Sequence, residues 1–169
     1  TTPNLQLGLL RRLLGDQIRT VSRKNLVTGR KFSEMLNEAL TRYTNRSLTT
    51  AEIIAELVSL AKDMRAERER AQQLGLSEAE IALYDAIIQS DSAILEMGDE
   101  TLKTIARELV ATIRSSATLD WTVKESVRAR MRSRIKRLLA KYKYPPDKRE
   151  QAVQLVIEQA EHLTTGEQD

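Results

Sequence analysis

Apolar residues recur along most of this chain at steps of three and four, the spacing that lines up one face of an α-helix. Leu5, Leu9, Leu10, Leu13, Leu14, Ile18 and Val21 trace a first helix that Asn4 is placed to cap. Gly8 and Gly15 interrupt it, each costing about 1 kcal/mol of helix propensity relative to Ala, which invites a kink. Val27-Thr28-Gly29 reads as a turn, and a second helix is expected over Ser33–Asn45 behind Phe32, with Leu36, Ala39, Leu40 and Tyr43 inward. Thr49 or Thr50 caps a long third helix with Ile53, Ile54, Leu57, Val58, Ala61 and Met64 on one face. The tail of that helix, residues 62–73, is charged on all sides and is expected to project into solvent.

Gly75 is suited to end the third helix, and Ser77 with Glu80 makes a capping box for the next, through Ile81, Leu83, Tyr84, Ile87 and Ile88. Residues 89–92 (QSDS) break the pattern, and Ala93–Met97 has room for a single turn. Gly98-Asp99 then restarts it, with Leu102, Ile105, Ala106, Leu109, Val110 and Ile113 in register. A last helix is expected after Asp147, with Glu150 completing its cap and Val153, Val156, Ile157, Ala160 and Leu163 inward, followed by a frayed TTGEQD tail. Alternation of the β type is absent, and so is any internal repeat. The expected fold is therefore all-α: an irregular multi-helix bundle of about seven helices. It reads as one helical domain over 1–169, with sub-lobes at 1–74 and 75–165.

Between these helices lies the most unusual stretch, residues 119–146, LDWTVKESVRARMRSRIKRLLAKYKYPP. From Lys124 to Lys143 it holds nine basic residues against one acid, Glu125, whereas the whole chain has 27 basic and 24 acidic residues. The remainder is mildly acidic, so the surplus is concentrated on one element. Thr122 with Glu125 makes a capping box, Asp120 is a rival cap, and Pro145-Pro146 stops the helix because neither residue has an N–H to donate. Val123, Val127, Met131, Ile135, Leu138, Leu139 and Tyr142 form its apolar stripe. Basic residues mostly flank that stripe, and Ala129, Ser133 and Ala140 line the back. Trp121 reads as a core anchor at the helix start.

Three readings of this helix stand side by side. Arg128, Arg130, Arg132, Arg134, Lys136, Arg137 and Lys141 could grip nucleic-acid phosphates, which attract cations whatever the base sequence. They could meet a carboxylate-rich protein partner, where the guanidinium fork gives bidentate hydrogen bonds. Or they could be bridged to acids of neighbouring helices within the chain.

Composition removes several chemistries. With no Cys there are no disulfides, thiolate zinc sites or cysteine nucleophiles, and one His, His162, cannot build a histidine metal site. Glycine is nowhere followed by lysine, so the phosphate loop of the G-x-x-x-x-G-K type is missing. Pro146-Asp147 resembles half of a P-D…(D/E)-x-K nuclease site, but no acid stands two places before a lysine. Asp85, Asp99, Glu100 and Asp120 are scattered acids expected to cap helices or face water. Apolar runs long enough to span a bilayer are absent, and TTPNLQLG lacks both an initiator Met and a basic signal-peptide start. The expectation is a cytoplasmic protein with no membrane partner, cut from something longer.

Several short strings, taken in order, carry a resemblance: Arg12–Asp16 (RLLGD), Phe32–Leu36 (FSEML), Ala82–Asp85 (ALYD), Met97–Glu100 (MGDE), Ile105–Leu109 (IAREL), Leu119–Trp121 (LDW), Val127–Met131 (VRARM) and Lys141–Asp147 (KYKYPPD). As a set they resemble the C-terminal helical region of the R (restriction, or motor) subunit of type I restriction–modification enzymes, over almost the whole chain. The resemblance implies a nuclease domain and two ATP-driven translocase lobes upstream, so ATP and Mg belong to those missing domains and no cofactor to this fragment. It implies docking onto the modification (M) and specificity (S) subunits, with DNA nearby. It supplies no catalytic residues here, because the family's catalytic motifs have no counterpart in these 169 positions. The expected function is a helical assembly domain, with a phosphate-gripping module built on residues 123–143 as the alternative.

Overall fold

Capping chemistry sets several of the helix boundaries. The computed structural model describes residues 2–89, 91–115 and 125–168, and all of its regular structure there is helical, in eight α-helices. They are α1 (Thr2–Lys24), α2 (Leu26–Thr44), α3 (Thr50–Leu74), α4 (Glu78–Ile87), α5 (Asp91–Met97), α6 (Asp99–Ser115), α7 (Glu125–Lys141) and α8 (Pro146–Gln168). Thr49 caps α3 and Ser77 caps α4, each in a full capping box with Glu52 and Glu80. Gly75 closes α3 in the left-handed region at φ 70°, where a side chain would be strained. The Thr122–Glu125 box, Asp120, Val123 and Trp121 lie outside the described residues.

Helices α1 to α3 form one unit, except for the Lys24–Leu26 corner, which belongs with α4 to α8 in a second. The first unit has its own core: Leu14 and Ile18 of α1, Phe32, Leu36 and Ala39 of α2, and Ile53, Leu57, Leu60 and Met64 of α3. Two boundaries differ from the sequence reading. Helix α1 starts at Thr2, two residues before Asn4, and runs on through both Gly8 and Gly15. Residues 27–29 are not a turn but the first turn of α2, so the chain passes from α1 to α2 at Asn25 alone. Gly29 is required there for closeness rather than for turning. A Cβ at this position would stand 2.2 Å from Ser22 Oγ and 2.7 Å from Ser22 Cα, so the two helices meet at a spot only glycine fits.

The second unit is organised on α4, which is buried from Ile81 through Ile87 without a break. Helix α6 packs against it on Leu102, Ile105, Ala106, Leu109, Val110 and Ile113, and α8 packs on Ala152, Val153, Val156, Ile157 and Ala160. Helix α7 lies on α6 and α8, and α5 on α6. Burial on all sides also takes in Asp85, which is no solvated acid: its carboxylate accepts from Asn25 Nδ2 at 2.8 Å. Gln159, fully buried on α8, completes the Lys24–Leu26 corner. Its Oε1 accepts from the Leu26 N–H at 2.7 Å, and its Nε2 donates to the Lys24 carbonyl at 3.0 Å. Breaking the helix at Asn25 strips those backbone groups of helical partners, and one amide side chain serves both.

Helix α7 buries Met131, Ile135 and Leu139, while Leu138 and Val127 are only partly covered. It ends before the prolines. The Tyr144 N–H bonds to the Leu139 carbonyl and the Lys143 N–H to that of Ala140, with Lys143 at φ 60°, which is a Schellman turn made without glycine. Pro146 then opens α8 rather than merely stopping α7, as suits a residue with a fixed φ and no N–H. Asp147 therefore sits inside the first turn of α8, favourable to its dipole, and the helix continues through the TTGEQD segment to Gln168. Tyr144, almost fully buried, donates from its hydroxyl to the Ile87 carbonyl at 2.6 Å and so pins the end of α7 to α4.

Truncating Ile135 to Ala should cost about 2–5 kcal/mol, and the same change at half-covered Leu138 clearly less. Urea unfolding of both variants measures the difference, and equal losses would mean that the stripe is centred elsewhere. Tyr144 gives a pH signature. Burial, with a smaller contribution from nearby Asp147, pushes its phenol from 10.0 up to about 12. The folded state favours the protonated phenol, so this contribution is intact below pH 10 and drains away as pH rises from about 10 to about 12. Tyr144→Phe should lower stability by about 1–3 kcal/mol near neutral pH, leaving the Ile87 carbonyl unpaired. It should also flatten the decline between pH 10 and 12; an identical decline in wild type and variant would exclude the assignment.

Candidate functional site

The surface of α7 carries the charge concentration anticipated from the sequence, and its neighbours divide it into two sides. At about 100° per residue, Arg128, Arg132 and Lys136 fall on one flank of the buried Met131–Ile135–Leu139 line. Arg130, Arg134, Arg137 and Lys141 fall toward the other flank and the back.

The first flank lies along α8, which supplies carboxylates. Arg128 pairs with Glu161 at 2.7 Å and Lys136 with Glu150 at 2.5 Å. Arg132, between these two pairs along α7, makes no ion pair or hydrogen bond among the described residues.

On the second side the C-terminal end meets an acid of α6. Glu108 of α6 accepts a hydrogen bond from the Tyr142 hydroxyl and has Lys141 Nζ 4.0 Å away. That bond to Glu108 raises the Tyr142 phenol above its ordinary value, so it remains a donor at neutral pH. Lys141 also sits over the Tyr142 ring, 5.2 Å from its centre. Arg130 and Arg137 are exposed and have no such partners among the described residues, and Arg134, exposed between them, completes a row spaced four and three apart. Ala129, Ser133 and Ala140 are exposed beside this row.

Such an arrangement can hold anionic groups. Of the other acids singled out in the sequence, those described make contacts within the fold. Asp99 accepts from the Tyr84 hydroxyl, which holds its carboxyl below the usual carboxylate range, and pairs with Lys103 at 3.2 Å. Glu100 reaches the same lysine at 3.4 Å. His162 is exposed on α8, several residues short of the helix end. No three His, Asp or Glu side chains among the described residues are grouped to hold a metal ion, and no described helix is long and apolar enough to cross a membrane. Sequence reading passed over Gln159 and Asn25. Both are ordinary surface amides by type, and only their distant partners reveal them as buried.

Residues 1–166 match the family described as type I restriction enzyme HindI endonuclease subunit-like, C-terminal. The type I restriction enzyme HindI endonuclease subunit of Haemophilus influenzae is 44% identical over 162 residues, covering 96% of this chain and 15% of that protein. A Methanocaldococcus jannaschii protein, provisionally named the type I restriction enzyme MjaIXP endonuclease subunit, is 36% identical over 136 residues, 79% of this chain and 13% of that protein. The chain thus spans about one seventh of the curated relatives it matches. No solved structure matches it.

Proposed function

The chain belongs to the type I restriction enzyme HindI endonuclease subunit-like C-terminal family, and from that premise we propose that it is a helical assembly domain without catalysis of its own. It docks the motor and nuclease subunit of a cytoplasmic restriction enzyme onto the modification and specificity subunits, in a complex that translocates and cleaves DNA. ATP and Mg are handled by other parts of that subunit. The observation that carries this reading is the uneven compensation of α7. Acids of α8 meet Arg128 and Lys136, whereas Arg130 and Arg137 stand exposed without an ion pair among the described residues. Arginine is favoured at protein interfaces because its planar fork meets carboxylates bidentately and loses little hydration.

A second reading shares the same residues. A row of guanidinium groups on an exposed helix also suits the phosphates of a duplex, whose affinity would then fall steeply with salt. Both readings predict a segment without turnover: the purified chain should neither hydrolyse ATP nor cut DNA. Turnover that survives repurification and disappears on changing one of its residues would overturn the non-catalytic assignment.

The two readings part on one variant. Replacing Arg130, Arg134 and Arg137 with Ala in the full-length subunit should weaken its association with the modification core by about ten- to a hundredfold, about 1–3 kcal/mol, and leave the melting transition in place. Unchanged association would sink the assembly reading. Should the row grip DNA instead, affinity for a nonspecific duplex should drop evenly across sequences, and the salt slope should shrink by roughly three, one for each phosphate that no longer meets an arginine. A wild-type protein with no salt-sensitive duplex binding at low ionic strength would end that alternative.

A further inference from the structure

Helix α1 is apolar on more of its circumference than its own unit covers. Leu14 and Ile18 are in the core, with Leu7, Leu10 and Val21 packed against it. Leu5, Leu9 and Leu13 point elsewhere and are 64%, 61% and 53% exposed. Spaced four apart, these three form one line up the helix over about 12 Å, beside the arc that faces the core. Polar residues bound the line: Gln6 on one edge, Arg12 and Asp16 on the other. Contiguous exposed apolar surface with a polar rim marks a contact site.

We propose that the Leu5–Leu9–Leu13 line is the seat of the preceding part of the same polypeptide, the region that in the longer relatives lies N-terminal to this segment. Two observations favour that occupant over a free partner. The matched family is the C-terminal part of a subunit whose relatives extend several times beyond the matched segment, so most of such a polypeptide lies upstream of α1. The line is also small. Three leucines over two turns offer well short of the ~800 Å² per partner that a stable interface between separate molecules takes. They are too short a repeat for a coiled coil between two copies, which needs at least three heptads. A covalently joined neighbour needs far less contact, because the linkage already supplies a high effective concentration. This inference rests on the family and on α1, not on which partner meets the basic row of α7.

This segment contains no cysteine, so single introduced thiols report on its surface cleanly. Leu9→Cys and Arg11→Cys would be placed in the full-length subunit, Arg11 being exposed on another side of α1. Maleimide labelling of the peptide holding each thiol would be followed by mass spectrometry, against the rate in denaturant. The expected result is a Cys at position 9 labelled at least tenfold more slowly than one at position 11, at every protein concentration and without added subunits. Equal rates would overturn the proposal by showing the face open. So would protection that grows with protein concentration, the mark of a second copy, or protection that arises only when the modification subunits are added. Leu5→Cys and Leu13→Cys should repeat the pattern of position 9.

Discussion

Burying a helix through two full turns obliges its surroundings to satisfy every polar group it carries, and α4 sets that requirement for the whole second unit. Its run from Ile81 to Ile87 includes a phenol, a carboxylate and backbone carbonyls shut away from water. An unpaired member would cost about 1–3 kcal/mol, a large share of the net stability of a domain this size. Each has a partner on a different element. Tyr84 reaches Asp99 at the start of α6, Asp85 takes Asn25 from the corner between α1 and α2, and the Ile87 carbonyl takes the Tyr144 hydroxyl after α7. Apolar packing brings α6 and α8 to α4, and these directional bonds tie the start of α6, the α1–α2 corner and the end of α7 to it.

That requirement reaches the basic helix. Tyr144 holds the end of α7 to α4 while Met131, Ile135 and Leu139 seal its length, so its rotation about its own axis is determined. Once the rotation is set, Arg128 and Lys136 must lie beside α8, whose acids are within reach, and Arg130 and Arg137 must face away. The pairing of Arg128 and Lys136 with α8, on one side of the helix, is a consequence of core packing. It needs no functional premise.

Much of this was legible from the chain. The capping boxes at Thr49 and Ser77, the left-handed close at Gly75 and the apolar registers of α3, α4 and α6 are local signals, and local physics decided them. Misreadings arose where a distant contact overrules a local one. Val27-Thr28-Gly29 has the composition of a turn, yet it is helical because Gly29 lets α2 close on Ser22. Asp85 looked like a surface acid because its partner lies sixty positions away in sequence. Leu5, Leu9 and Leu13 read as one face with Leu10 and Leu14, since spacing alone cannot tell a covered arc from an open one of the same helix. At the candidate site the excess of charge was plain in the sequence. Its two sides were not, because they depend on where Glu108, Glu150 and Glu161 fall.

The compensated side has its own bearing on assembly. The pairs of Arg128 with Glu161 and Lys136 with Glu150 sit at the surface, where such bridges contribute about 0–1 kcal/mol and are weakened by salt. Exchanging a surface carboxylate of α8 for one presented by a partner is therefore nearly neutral, so these two cations add little affinity by themselves. Among the described residues Arg130 and Arg137 have no existing pair to give up, so a charge-assisted bond formed there would replace none. The acids of α8 meanwhile neutralise Arg128 and Lys136 on the other flank, where Arg132 has no ion pair among the described residues.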